Sequence, residues 1–407
     1  MAGKILPIRV KLAENAKPAR DLAAAIIAPF LSRMPNPYGW SRFCLALLMK
    51  SKSSAPPTRF LGLDFLRGFG AIGVVVGHST MGALFMSTYL AVDFFLVLSG
   101  FVLTKAYFDK PSLDLPKFIW LRFARMYPLH FLTLMVMMIL TLFAANEFYA
   151  WAFLKHGLLI HSVGIGPFYT IYNYPSWTIS TEFWINVWVA LAFVYLVKTR
   201  FLLFAIVCVV SMYLLFISIE RLDITYQPIA FGLNGGLVRC TAGFLIGVGV
   251  YYIYKRWTWP IPLWAKLMAF SFFWFILIGP DFYGRYGVLV LPILGVVLFC
   301  FTDPNSKFDR ILGRFKYLGD ISYSIYLVHM PILKTAEWIG RDAFGIEDFF
   351  PIRTHPLFVI CFVIVSVIVA HFTYKFYEAP LYKTMRTWPN RLKEWRTARS
   401  GSVSSEK

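Results

Sequence analysis

Ten stretches of about twenty mostly apolar residues follow one another along this chain. They lie near 61–80, 88–108, 127–146, 177–198, 201–219, 234–254, 262–279, 286–302, 317–337 and 356–377. A run of that length, coiled into an α-helix, matches the hydrocarbon core of a bilayer. No water reaches the backbone there, so a single segment must satisfy its own N–H and C=O groups, and only a helix does so. The chain is therefore read as all-α, a polytopic integral membrane protein with about ten transmembrane helices. Charged residues make up only 15% of it and hydrophobic residues 58%, a balance foreign to an ordinary soluble domain.

The formal charge is +19, which in a soluble protein would raise nucleic acid as a partner. Here the basic residues fall between the apolar runs, so nucleic acid is excluded and the bilayer is the partner. Every second connection is basic: the first 59 residues, then Lys110, Lys117, Arg122 and Arg125, then Lys198 and Arg200, then Lys255 and Arg256. The series ends with Lys307, Arg310, Arg314 and Lys316, and with the tail after Lys375. The intervening connections 81–87, 147–176, 220–233, 280–285 and 338–355 hold few cations or balance them with acids. Since basic loops stay on the cytoplasmic side, both termini are expected there.

Three regions follow. Residues 1–58 read as a cytoplasmic extension whose short apolar segments, 22–31 and 43–49, suit interfacial amphipathic helices. Residues 59–385 form the membrane domain, and 386–407 a basic, partly disordered cytoplasmic tail. The five cysteines show no CxxC spacing and read as packing residues, with no metal expected.

Ionisable side chains inside apolar spans ask for a reason, because hydrocarbon penalises them. Arg67 and His78 lie eleven residues apart, an advance of about three turns plus 20°, so they share one helix face about 16 Å apart. In the expected topology Arg67 lies in the inner half and His78 near the outer end. Asp93 enters the second span from outside, Glu182 belongs to the first turns of the fourth, and His329 lies past the midpoint of the ninth. Anion binding on the inner side and proton chemistry on the outer side is the simplest division.

The same residues sit inside a series of sequence words: LDFLRGFGAIGVVVGHS (63–79), AVDFFLVLSGFVLT (91–104), RFARMYPLH (122–130), YPSWTISTEFW (174–184) and LGDISYSIYLVHMPIL (318–333). In this order they resemble the acyltransferase-3 family of membrane-bound O-acyltransferases, over about 60–385. The resemblance implies ten membrane helices and a cytoplasmic acyl-CoA, by default acetyl-CoA, as a donor that is not permanently bound. It implies transfer to a hydroxyl of a cell-envelope glycan, glycolipid or exported metabolite outside a bacterial inner membrane. Arg67 and His78 match the family's Arg-x10-His pair, with His78 the expected base. Arg122 and Arg125 match its Arg-x-x-Arg pair, tied to acyl-CoA. Glu182 matches the first glutamate of a WSLSVEE-like word, whereas Phe183 replaces the second. The soluble C-terminal domain of some relatives is not expected here.

A mechanism follows from those residue types. Arginine forks suit the phosphates of CoA, so Arg67, Arg122 and Arg125 are the expected donor-binding set. His78 would take the hydroxyl proton, with Asp93, favoured through the short first loop, or Glu182 fixing its tautomer. Ser180, Ser99 or a helix N–H near Gly100 are the candidates for stabilising the oxyanion. Plainer readings stand beside these. Asp64 can neutralise Arg67 at i,i+3, topology alone accounts for Arg122 and Arg125, and His329 before Pro331 suits packing. His130, His156 and His161 receive no role, and the aromatic run 168–177 is read as an interfacial belt. The competing class is an organic-anion transporter or exporter, which the same basic mouth and buried acids would serve.

Overall fold

A computed structural model describes residues 59–388, apart from 84, 146, 165–171, 197–198, 219–221, 223–227, 230–231, 280–284 and 305. The expected N-terminal extension, almost all of the expected tail and part of the aromatic run therefore lie outside the described residues. Within them the chain is helical. α1 is Leu61–Thr80; α2 is Leu90–Leu103, prolonged by a π-turn at Thr104–Phe108; α3 is Leu115–Ala145 and α4 is Ala150–Gly157. A 3-10 turn, Tyr174–Ser176, leads into α5, Trp177–Tyr195. Then come α6 (Arg200–Ser218), α7 (Gly235–Arg256), α8 (Leu263–Ile278), α9 (Val290–Cys300) and α10 (Lys307–Leu312). The series closes with α11 (Lys316–Phe344), α12 (Phe350–Thr354) and α13 (Pro356–Thr373), the last running into a π-turn at Tyr374–Glu378.

Among the described residues seven helices are long and apolar enough to cross a membrane: α1, α2, α3, α5, α6, α7 and α13 with their extensions. The other three expected spans correspond to α8 and α9, which are shorter, and to α11, which is long but carries Asp320, His329 and Lys334. Cys208, Cys240, Cys300 and Cys361 are unbridged.

Two close crossings position the site. A Cβ on Gly68 of α1 would lie 2.6 Å from the Leu318 Cβ of α11, and one on Gly319 would lie 2.9 Å from the Asp64 Cβ. Small residues let these two backbones touch, and in lipid such contact is the main source of helix association. A Cβ on Gly100 of α2 would likewise meet the Phe244 carbonyl of α7, and one on Gly247 would meet that of Val97. Thus α1 lies along α11 and α2 along α7, although α1 and α2 are joined by a short loop.

Pro331 sits inside α11 and has no N–H for the Leu327 carbonyl. Asn173 Nδ2 donates to that carbonyl at 3.0 Å, and the Tyr326 hydroxyl donates to the Pro175 carbonyl at 3.0 Å. These bonds draw the segment before α5 inward, so Asn173, Pro175 and Ser176 are buried and α5 starts inside the fold.

Candidate active site

Two cavities occupy opposite ends of the helices that line them. One, of about 770 Å³, lies at the ends of α1, α3 and α11 and the start of α2; His78, Tyr174, Trp177, Arg239 and Lys334 line it. The other, of about 560 Å³, lies at the starts of α1, α3 and α11; Arg67, Ser99, Arg122, Arg125 and Glu182 line it. Val92 and Tyr326 line both, so these two side chains form the neck that separates the two spaces. Thr178 Oγ1 lies 3.2 Å from the Tyr326 hydroxyl and ties α5 to α11 at that level.

His78 is half-buried at the last turn of α1. Its Nδ1 is 2.8 Å from His329 Nε2, with the rings near parallel and their centroids 5.0 Å apart. His329 Nδ1 lies 3.2 Å from the Ile325 carbonyl, which can only accept. In neutral His329 the proton is then on Nδ1 and the lone pair on Nε2. His78 Nδ1 must donate to that lone pair, which leaves the lone pair of His78 on Nε2. Arg353 braces the helix end, donating to the carbonyls of His78 and Ser79 and to Glu337 at 2.8 Å.

Asp93 does not orient His78. It takes a bidentate pair from Arg239 of α7, Nε to Oδ1 at 2.7 Å and Nη2 to Oδ2 at 2.6 Å, and both side chains are almost wholly buried. The Gly100–Phe244 crossing of α2 on α7 is the reason, because it turns the Asp93 face toward Arg239. The guanidinium also lies over the Tyr89 and Trp177 rings, at 5.6 and 5.5 Å.

Glu182 belongs to the other cavity. It accepts from Ser99 Oγ at 2.6 Å beneath the neck, because α5 begins inside the fold rather than at its surface. Of the proposed oxyanion donors, Ser99 is thereby engaged. Ser180 Oγ donates to the Leu159 carbonyl at 2.7 Å, and Gly100 is packed against Phe244.

The three arginines differ. Arg67 donates to the Gly319 carbonyl from Nε at 3.0 Å and Nη2 at 2.5 Å, with Asp64 3.4 Å away as the i,i+3 reading expects. Arg125 is ion-paired with Glu378, which also accepts from Ser324 Oγ at 2.5 Å. Arg122 lines the cavity, and its Nε has no hydrogen-bond partner among the described residues.

His329, Arg239, Glu378 and Tyr326 are site residues that the sequence reading left without a catalytic or donor role. Arg239 had a signal: an arginine within an apolar span demands a buried acid, and Asp93 was at hand. His130, His156 and His161 form a parallel stack, with the last two rings 3.8 Å apart and both against the Ser176 hydroxyl. The described end of the aromatic run lines the His78 cavity instead of facing lipid: Tyr172 and Trp177 are buried there and Tyr174 stands edge-on to His78.

A model of an acyltransferase domain matches residues 60–375 of the chain. YrhL of Bacillus subtilis (strain 168), provisionally named a peptidoglycan O-acetyltransferase, is 26% identical over 390 residues, 83% of this chain and 58% of that protein. The peptidoglycan O-acetyltransferase OatA of Listeria monocytogenes is 26% identical over 313 residues, 67% of this chain and 49% of that protein. Protein 2 in the picA locus of Rhizobium radiobacter is 44% identical over 90 residues, 21% of this chain and 47% of that protein. The chain thus spans about half the length of these relatives. No solved structure matches it.

Proposed function

The chain belongs to the acyltransferase-3 family, and from that membership we propose that it is a membrane O-acyltransferase moving a short acyl group, acetyl by default, from acyl-CoA to a hydroxyl of a cell-envelope glycan. One observation carries the reading: a cavity with three arginines and a cavity with a directed histidine lie back to back, with only Val92 and Tyr326 lining both. The topology that fits is ten spans with both termini cytoplasmic in a bacterial inner membrane. The arginine cavity then opens to cytoplasmic CoA and the His78 cavity to the outer side. Relatives named as peptidoglycan O-acetyltransferases favour a glycan acceptor of that kind.

The chemistry runs as a single transfer with no acyl-protein intermediate. Arg122, with an unpaired Nε, binds a CoA phosphate, and Arg67 and Arg125 add positive field beside it. The pantetheine arm passes the Val92–Tyr326 neck and brings the thioester beside His78. His78 Nε2 removes the acceptor hydroxyl proton as that oxygen attacks the thioester carbonyl carbon. His329 accepts from Nδ1–H and keeps the lone pair directed. The C–O bond forms, the C–S bond breaks, and the CoA thiolate leaves with the proton that His78 returns. Arg239, held rigid by its ion pair with Asp93, lines this cavity and is the donor for the developing oxyanion.

Detergent-purified protein gives the test. Acetyl-CoA raises the apparent melting temperature by mass action, whereas ATP as a phosphate control does not. His78→Gln keeps that shift and loses transfer of radiolabelled acetyl by about 10²–10⁴-fold, the range for a general base. Transfer at the wild-type rate removes His78 from the mechanism. No shift with millimolar acetyl-CoA in folded protein favours the organic-anion transporter instead.

A further inference from the structure

We propose that the acceptor is anionic, and that Lys334 and Arg341 at the mouth of the His78 cavity bind its oxyanion, a sugar carboxylate or a carrier phosphate. The inference rests on the acyltransferase reading and names the class of acceptor. Tyr326, Met330, Lys334, Glu337, Trp338 and Arg341 recur at three- and four-residue steps, so they form one face of α11, and all line that cavity. The face runs from the neck to the mouth and ends in cations.

Cations outnumber acids by one along this wall: Lys334, Arg341 and Arg353 stand beside Glu337 and Asp342, and Arg341 pairs with Asp342 at 3.0 Å. Glu337 is the one acid among the described residues lining the cavity, and it serves both Lys334 at 2.7 Å and Arg353 at 2.8 Å. Arg353 also donates to the carbonyls of His78 and Ser79, so it is a brace. The Lys334 and Arg341 side chains remain 46% and 53% exposed. In the proposed topology this mouth faces away from the cytoplasm, the side where lysine and arginine are least expected. Each has one acid partner, yet both keep about half of the side chain open at the mouth, where an incoming anion can reach them. Aromatic rings suited to the faces of a sugar complete the walls, and Trp338 Nε1 has no hydrogen-bond partner among the described residues. An acceptor anchored by its acid at the mouth would present a neighbouring hydroxyl toward His78, a polar anchor beside apolar walls as in other ligand sites.

Thermal shifts and titrations on the full chain test this with four probes. These are a tetrasaccharide of alternating glucuronic acid and N-acetylglucosamine, its carboxyl-reduced counterpart, inorganic phosphate and acetyl-CoA. The acidic tetrasaccharide is expected to bind and the reduced one to bind about tenfold more weakly or not at all, the loss of one charge-assisted hydrogen bond. Lys334→Glu and Lys334→Gln should both remove the preference, the first more completely. Phosphate displacing the tetrasaccharide with the same Lys334 dependence would identify a carrier phosphate as the source of the anion. Equal binding of neutral and acidic saccharides, binding indifferent to Lys334, or no binding by either anion overturns the proposal. An acetyl-CoA shift retained in the variants shows that they fold and hold donor. Its absence from every version would sink the acyltransferase reading while leaving any acid binding as an independent result.

Discussion

An imidazole fit to act as a base needs one nitrogen held and the other free; His78 has its Nδ1 against a second imidazole whose own proton is committed to a backbone carbonyl. The Arg67 and His78 face was legible from an eleven-residue spacing, because helix periodicity is local. The partner of His78 was not, since His329 lies 251 residues away and depth placed it only in the same half, where packing was its expected role. Residue-scale geometry also separates the two arginines of the RFAR word. Arg122→Ala is expected to weaken acetyl-CoA binding about tenfold, at the scale of one charge-assisted bond, and to leave thermal stability near wild type. Arg125→Ala strands the buried Glu378 carboxylate and should cost about 2–3 kcal/mol of stability, with a smaller effect on binding. Titration calorimetry beside thermal unfolding separates the two; equal effects of both kinds would show that neither arginine has the role assigned to it.

Helices meet where their surfaces allow, and the Gly68–Gly319 seam shows how much follows from that. It brings the length of α1 against α11, which sets His78 beside His329 at one end and Arg67 against the Gly319 carbonyl at the other. Gly319→Leu should force the seam apart, costing about 1–3 kcal/mol as overpacking does, and separate the two imidazoles as well. Transfer should therefore fall by more than acetyl-CoA binding, and Gly319→Ala should fall between Gly319→Leu and wild type. A Gly319→Leu protein with normal transfer would show that the imidazole pair does not depend on this crossing. Helix existence was legible in the hydrophobic runs, but the depth of α5 was not. The inward pull comes from Asn173 and Tyr326 acting across the fold, and it moves Glu182 from the expected outer group into the arginine cavity.

At the scale of the molecule, a reaction drawing donor and acceptor from opposite sides of a membrane needs a path that is continuous for the substrate and closed to bulk water. The proposed path runs between two cavities that share Val92 and Tyr326 as lining, the arginine space at one end and the histidine space at the other. The proposed orientation has a direct check. In intact spheroplasts a membrane-impermeant maleimide should label Glu347→Cys, in the connection after α11, and should not label Lys307→Cys in α10 until the membrane is opened. Both positions are exposed in the fold, so failure to label reports sidedness rather than burial. The reverse pattern would invert the topology and with it the assignment of donor and acceptor cavities.

By itself the order of amino acids determined what is periodic or local: an all-helical chain, the alternation of basic connections, the shared face of Arg67 and His78, and the sequence words that mark the family. Tertiary structure alone decided which buried charges became partners. Asp93 met Arg239 instead of His78, Arg125 met Glu378, and His329 rather than an acid came to lie against His78. The physical reason is that a buried ionisable group must find compensation, but the compensating group is chosen by which helix backbones can approach closely. That approach depends on surfaces hundreds of residues apart fitting together, which no single stretch of the chain encodes.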